Sequence, residues 1–275
     1  MNKNSLLPFL KWPGGKRWFI SRYSHLLPVK YNRYIEPFVG GGAVFFSLNP
    51  KKSIISDINP DLINVYSVMR DKPEELKKIL IIHQKMHCKD YFYEIRSDVP
   101  PDNIMQAGRF LYLNRACFNG LYRVNASGEF NVPMGNKTNF LYDIDMFDTY
   151  SKALKYTDIY VEHYSKIIKK VRKNDFIFID PPYTILHNQN SFIKYNEKLF
   201  SWSDQEQLLK DLCAARNKGA IVFAANANFP PLKAMYEQQN FYTKIISRPC
   251  VISGKPEGRK KQEELLITSI PLLEG

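Results

Sequence analysis

Phe176-Ile177-Phe178-Ile179-Asp180-Pro181-Pro182-Tyr183 is the stretch on which the fold turns. Four consecutive apolar residues, rich in Ile and Phe, read as a buried central strand of an α/β protein. The run ends at one carboxylate and two prolines. Prolines cannot continue a sheet ladder, so the chain leaves the sheet here as a stiff turn. Ligands of open α/β sheets sit outside the carboxyl ends of the strands, and Asp180 and Tyr183 are expected to project there. A carboxylate and a proline carbonyl accept N–H bonds, and a ring offers a flat face. Together they suit a planar ring that carries an amine. The same four residues also read as a Pro-rich turn without chemistry, and the stretches upstream separate the two.

Tyr34-Ile35-Glu36-Pro37-Phe38-Val39-Gly40-Gly41-Gly42 is a short strand running into three glycines, and Ala43-Val44-Phe45-Phe46 opens a helix. Strand, glycine turn and helix form the nucleotide-binding βα unit, in which backbone approaches a ligand closely. A second strand, Ser53 to Ser56, runs into Asp57. An acid there is placed for ribose hydroxyls, and it is also a candidate N-cap for the helix near Pro60. These pieces describe a pocket for an adenosine-containing cofactor. Further upstream, Pro13-Gly14-Gly15 fixes a tight loop that brings Trp12 and Lys16 close to whatever it faces. It is not a P-loop, since Arg17 stands where a hydroxyl is required.

Downstream of Pro60 the pattern turns helical, over Glu74 to Arg96 and Asn103 to Cys117. From Phe118 to Gly135, Asn-Gly, Ser-Gly and Pro-x-Gly punctuate short runs, which predicts a β-hairpin and loops. Arg123, Asn125 and Asn131 can read base edges, and Phe118 and Tyr122 can wedge or stack. Alternation of strand and helix returns after Asp143, with strands near 159–162, 175–179 and 220–224 and a closing pair near 241–247 and 264–269. Ser203 is the expected cap of a helix over Asp204 to Asn217. Residues 184–203 form a long polar segment containing Tyr195. Lys255, Arg259, Lys260 and Lys261 lie in a Gly/Pro loop suited to phosphates.

The chain has 275 residues, 44% hydrophobic and 24% charged, enough for a sizeable core. Its net charge of +12 points to a polyanionic partner. Residues 1 to 35 hold seven basic side chains and no acid. No apolar run approaches a membrane span, and the first residues lack the apolar core of a signal peptide. The four cysteines are far apart, which points to reduced thiols and a cytoplasmic protein. His83, His87 and Cys88 share a helical spacing without a further ligand, so no metal site is expected.

The residues now carry a resemblance. Lys11-Trp12-Pro13-Gly14-Gly15-Lys16, Glu36-Pro37-Phe38-Val39-Gly40-Gly41-Gly42, Asp57, Asn119-Gly120-Leu121-Tyr122-Arg123, Gly128-Glu129-Phe130-Asn131-Val132-Pro133 and Asp180-Pro181-Pro182-Tyr183 occur in this order. The ordered set resembles the Dam-type, or DpnII-type, DNA adenine methyltransferases over nearly the whole chain. The resemblance implies a class I methyltransferase fold. That is a mostly parallel seven-stranded sheet with helices on both faces and an inserted, mainly helical target-recognition domain with a β-hairpin. Residues 1–57 and 145–275 would form the catalytic domain and 58–144 the recognition domain.

It also implies S-adenosylmethionine as cofactor, bound by Trp12, Lys16, Glu36, Phe38, Gly40, Gly42, Asp57 and Asp180. Asp180, Pro181, Pro182 and Tyr183 would be catalytic. Lys11, Phe118, Asn119, Leu121, Arg123, Asn125, Pro133, Tyr195, Lys255, Arg259 and Lys260 would meet double-stranded DNA. Arg123 would read a guanine of GATC, and Lys11 would lie near the outer guanine. Residues Asn136-Lys137-Thr138 depart from the family pattern at the first base pair. A cognate restriction endonuclease is a conceivable partner. The rival readings are a methyltransferase of another planar amine (cytosine, an RNA adenine or a protein glutamine) and a catalytically silent DNA-binding module. For Tyr183 the ring face, rather than the hydroxyl, is expected to matter.

Overall fold

The structure is a computed structural model, and it describes residues 6–125, 127–141, 143–183, 200–248 and 262–272. Its strands are β1 (Tyr34–Glu36), β2 (Ser53–Asp57), β3 (Thr157–Val161), β4 (Phe176–Ile179), β5 (Ile221–Ala227), β6 (Tyr242–Arg248) and β7 (Gln262–Thr268). They form one seven-stranded sheet in the order β3-β2-β1-β4-β5-β7-β6. Pairing is parallel from β2 through β1 and β4 to β5, and antiparallel where β7 joins β5 and β6. The mixed sheet with its helices is the α/β methyltransferase architecture that the resemblance implies. By compactness the backbone divides into one unit of Met1–Lys16, Val39–Lys51 and Ser56–Val161 and another of Arg17–Phe38, Lys52–Ile55 and Glu162–Gly275.

The first unit is mainly helical: α2 (Ala43–Leu48), α3 (Pro60–Asp71), α4 (Pro73–Met86), α5 (Lys89–Ser97), α6 (Asn103–Ala116) and α7 (Phe147–Leu154). The starts of these helices are written locally. Asn59 caps α3 by accepting the Leu62 N–H, with Pro60 at the first helical position. Asp102 caps α6 through the N–H groups of Ile104 and Met105. The periodic run over Glu74 to Arg96 is two helices rather than one. The chain breaks at His87 and Cys88, and the Cys88 thiol accepts the Tyr91 N–H to start α5. Phe9, Phe46, Tyr66 and Tyr150 pack edge to face at ring separations of 5.2 to 5.6 Å.

Beside that core lies a buried arginine. The Arg115 guanidinium, 2% exposed, donates to the carbonyls of Phe140 and Phe9 at 2.7 Å each and pairs with Asp143 at 2.8 Å. Burying a charge is tolerable only with such partners.

In the second unit the apolar run is as expected. Phe176, Ile177, Phe178 and Ile179 are fully buried in β4, between β1 and β5. The ring of Phe19, on α1 (Arg17–Tyr23), lies 5.9 Å from that of Phe178. Asp175, one residue before β4, receives Arg33 at 3.2 and 2.6 Å, which clamps the entry of β4 to that of β1. The helices α8 (Tyr164–Lys169), α9 (Trp202–Asn217) and α10 (Pro230–Glu237) complete the unit. The start of α9 corrects the sequence reading. Ser201, not Ser203, is the cap, in a reciprocal box in which Ser201 accepts the Asp204 N–H and Asp204 accepts the Ser201 N–H.

Candidate active site and recognition loop

The glycine turn is held in the first unit by its own backbone and by two side chains. Gly40 and Gly42 have φ of +46° and +67°, conformations that a side chain would strain. A Cβ on Gly40 would stand 2.6 Å from Trp12 Cδ1, and one on Gly42 would stand 2.7 Å from the Tyr66 hydroxyl. Tyr66 donates to the Gly40 carbonyl at 2.9 Å, and the Gly40 N–H bonds Asp57 Oδ2 at 3.2 Å. Asp57 Oδ1 accepts the Asn59 N–H at 3.1 Å. Asp57 is therefore not the helix cap; Asn59 is.

Burial pushes the Asp57 carboxyl above its ordinary range, against the pull of N–H bonds from Asn59, Gly40 and Ile58. A carboxylate has about four acceptor positions, so one remains for a hydroxyl donor. A close-backed glycine turn beside a buried carboxylate fits an adenosine-bearing cofactor on its ribose side. Trp12 faces the turn, and its ring stacks on Tyr122 at 4.9 Å and 26°. Lys16 is buried and donates to the Gly14 carbonyl at 3.2 Å.

The loop expected to meet DNA follows α6 in the same unit. Asn114, 1% exposed, binds the Lys11 N–H and carbonyl with one amide. Gly120, at φ +64°, lets the Lys11 side chain pass over it, since a Cβ would meet Lys11 Cδ at 2.4 Å. Two isolated antiparallel bridges, Cys117 with Met134 and Val124 with Phe130, stand where a regular hairpin was expected. Phe118 and Leu121 are large apolar side chains left 50% and 42% exposed on this loop. Asn119 between them has φ +55°, and the Pro133 carbonyl accepts the Phe118 N–H at 2.9 Å.

Arg123 is exposed, and Asn131 aims it. Arg123 Nε donates to Asn131 Oδ1 at 2.7 Å and Nη2 to the Asn131 carbonyl at 3.3 Å. Two of its five donors are thereby used. Asn125 holds the turn together. Its amide donates to Glu129 at 2.8 Å, and its oxygen accepts the Ser127 and Glu129 N–H groups. That makes Asn125 a turn former. Tyr122, read from sequence as a DNA wedge, has its ring committed to Trp12 instead. Burial and the neighbouring Lys11 ammonium push the Lys137 amine down from its ordinary value.

In the second unit β4 delivers Asp180, half-buried, at its carboxyl end, followed by buried Pro181 and then by Pro182 and Tyr183. The Tyr183 hydroxyl donates to Glu264 Oε2 at 2.6 Å, and Arg248 Nη1 lies 3.7 Å from Glu264 Oε1. Burial, then the charges of Asp180 and Glu264, drive the Tyr183 phenol well above its ordinary value, so it stays protonated. A second pair repeats the pattern on β1. The buried Tyr34 hydroxyl donates to Glu36 at 2.9 Å, and its phenol is raised by burial and then by Glu36, with smaller contributions from Tyr31 and Asp180. Phe38 stacks on Tyr164 at 5.2 Å and meets Phe200 edge-on at 5.9 Å.

Sequence reasoning missed Glu264, Tyr34, Tyr66 and Asn114. A pair of acids, Glu263 and Glu264, running into Leu265-Leu266-Ile267, and a Tyr and Glu two apart on one strand face, were the available signals. Tyr195, Lys255, Arg259 and Lys260 lie outside the described residues. Among the described residues no group of three or more His, Cys, Asp or Glu side chains could hold a metal ion. No helix among them is long and apolar enough to cross a membrane.

Comparison with known proteins gives the family. The family model for D12 class N6 adenine-specific DNA methyltransferases matches residues 12–248. The chain is 36% identical to the Type II methyltransferase M1.LlaDCHI of Lactococcus lactis subsp. cremoris, over 98% of this chain and 97% of that protein. It is 34% identical to the Type II methyltransferase M.MjaIII of Methanocaldococcus jannaschii, over 92% and 95% respectively. It is 32% identical to a DNA adenine methylase of Haemophilus influenzae, over 94% and 92%.

Proposed function

Since the chain belongs to the D12 class of N6 adenine-specific DNA methyltransferases, enzymes that use S-adenosylmethionine, we propose that it methylates a flipped-out adenine within GATC. The observation that carries the chemistry is Asp180 at the carboxyl end of buried β4, on a turn that two prolines make rigid. Bound S-adenosylmethionine supplies a methyl group on a sulfonium, already an excellent leaving group.

Asp180 and the Pro181 carbonyl accept the two N–H bonds of the adenine amine. That would favour a tetrahedral nitrogen with its lone pair presented to a methyl donor. This is positioning and electrostatics, with no covalent enzyme intermediate. The Tyr183 ring stacks on the extruded base, worth ~1–3 kcal/mol, and so offsets part of the few kcal/mol spent in leaving the duplex. Asp57 takes a ribose hydroxyl, while Trp12, Lys16, Glu36, Phe38, Gly40 and Gly42 line the cofactor.

Residues 58–144 serve target recognition, and 1–57 with 145–275 serve catalysis. Arg123 reads a guanine bidentately through its unspent donors. Phe118, Asn119, Leu121 and Pro133 meet the DNA beside it, and Lys11 contacts the outer base pair. The basic residues of 253–261 and Tyr195 complete the DNA contacts. The protein acts in the cytoplasm, and its similarity to Type II methyltransferases supports a cognate endonuclease in the same system.

Sequencing methylated adenines in DNA from cells that express the protein tests this reading. Methylation confined to GATC is the expected result. A different adenine motif would overturn the specificity, and transfer only to cytosine, RNA or protein would overturn the substrate. Asp180→Ala should lose more than nine-tenths of the rate, about 1.4 kcal/mol of barrier, with its fold intact.

A further inference from the structure

We infer that Glu264 is a positioning residue for methyl transfer, fixing the direction of the Tyr183 ring by holding its hydroxyl. The inference rests on the reading of Tyr183 as the surface against which the target base stacks.

The two residues sit on supports of different rigidity. Tyr183 follows the Pro181-Pro182 turn, four residues beyond the last residue of β4. Glu264 lies in β7, paired with Ala227 of β5 on one side and Ile246 of β6 on the other. Its backbone is among the better anchored in the molecule. A stacking surface has to hold its orientation within about 10–20° to keep a base in productive geometry. Two rotatable bonds separate the Tyr183 ring from its backbone. The hydroxyl lies on the axis of the second, so a hydrogen bond there holds the first torsion and with it the direction of the ring axis. It also ties the plane through the O–H, which prefers to lie in the ring plane.

The bond is of the strong kind. It is an O–H···O contact of 2.6 Å to a carboxylate, in the range of charge-assisted bonds. Glu264 is 3% exposed. A carboxylate buried in a sheet is costly, and an apolar residue would serve the fold at least as well. Arg248 at 3.7 Å moderates the charge without replacing the phenol. The raised phenol excludes Tyr183 as a proton acceptor at neutral pH and keeps it the donor. The expectation that only the ring face matters therefore leaves out the group that aims it.

The test uses full-length protein and single-turnover methyl transfer to a duplex oligonucleotide with one methylatable adenine. The variants are Tyr183→Phe, Glu264→Ala, Glu264→Gln, the double Tyr183→Phe/Glu264→Ala, and Tyr183→Ala. Tyr183→Phe and Glu264→Ala should each slow the step about tenfold, the rate equivalent of one hydrogen bond, with KM for DNA unchanged. The double variant should be no slower than either single one. Glu264→Gln keeps an acceptor and should retain at least half the rate. Fluorescence of 2-aminopurine at the target position should rise in Tyr183→Phe and Glu264→Ala, where stacking loosens, and not in Glu264→Gln.

Tyr183→Phe at the wild-type rate overturns the inference, as does an additive double variant or a Glu264→Gln as slow as Glu264→Ala. If Glu264→Ala does not fold, Tyr183→Phe and Glu264→Gln decide alone, slow against fast being the supporting result. Failure of the stacking reading itself looks different, because Tyr183→Ala would then be active.

Discussion

One side-chain amide grips both polar groups of one distant residue. Asn114 Oδ1 accepts the Lys11 N–H at 3.0 Å, and Asn114 Nδ2 donates to the Lys11 carbonyl at 2.8 Å. The two residues are 103 positions apart. The contact fixes where Lys11 emerges beside Gly120. Asn114→Ala leaves both backbone groups without this partner and should cost about 2 kcal/mol of stability, read from urea unfolding. It should also weaken DNA binding while leaving S-adenosylmethionine affinity within a factor of about two, if Lys11 contacts DNA as proposed.

Gly40→Ala tests the glycine turn. The new methyl meets Trp12 Cδ1 at 2.6 Å, and the backbone is already at φ +46°. Trp12 is itself stacked on Tyr122, so it cannot yield without moving the recognition loop. S-adenosylmethionine affinity by calorimetry should fall at least tenfold, ~1.4 kcal/mol. Gly14→Ala is the control. Its φ is +76° with nothing within 4 Å of the added Cβ, so it should show only the backbone strain of about 1 kcal/mol.

Arg123→Ala should relax discrimination at one base pair by ~1–3 kcal/mol, measured as relative rates on substituted oligonucleotides. Asn131→Ala removes the side chain that aims the guanidinium and should act in the same direction more weakly. Equal slowing on every sequence would make Arg123 a phosphate contact instead.

His83 gives the fold an acid sensitivity. Its ring stacks on Tyr112 at 4.6 Å and bonds the Tyr91 hydroxyl at 2.8 Å. Burial holds its pKa down to about 4 from the ordinary 6.5. Between those values the unfolded chain binds a proton that the folded chain refuses, so stability is complete above pH 6.5 and is lost as pH falls toward 4. The loss amounts to about 3 kcal/mol at 1.36 kcal/mol per unit. His83→Phe should flatten the melting temperature between pH 6.5 and 4.5, read by calorimetry. A slope as steep as that of the unaltered protein would assign the effect to other groups.

What could be read without coordinates was what is local. The apolar run of β4, the glycine turn after β1 and the Asn-Gly and Ser-Gly corners each declare themselves within a few residues. The misreadings are of two kinds. Ser201 and Ser203 each have an acid three residues on, so the capping pattern fits both and only the observed box at Ser201 decides. The periodicity over Glu74 to Arg96 continues through His87 and Cys88, so the break there is invisible to it.

The other kind is tertiary. The Tyr183–Glu264 and Asn114–Lys11 bonds join residues 81 and 103 positions apart, and no neighbour in sequence marks either pair. Arg123 and Asn125 are equally good base readers by residue type. Only the hydrogen bonds show that Asn125 also builds its own turn.

The buried Arg115 sets an order of assembly during synthesis. Its partners are Phe9, Phe140 and Asp143, and the first lies 106 residues upstream. Closing that span costs about 4 kcal/mol of chain entropy by the logarithmic loop law. A nascent chain released only as far as residue 130 would carry the guanidinium without two of its acceptors. At 5–20 residues per second the segment around Phe9 must wait on the order of ten seconds after leaving the ribosome. Until Asp143 has emerged, the guanidinium that the mainly helical unit buries lacks its carboxylate partner, so the segment carrying Lys11, Trp12 and Lys16 cannot dock on Arg115 with that charge balanced.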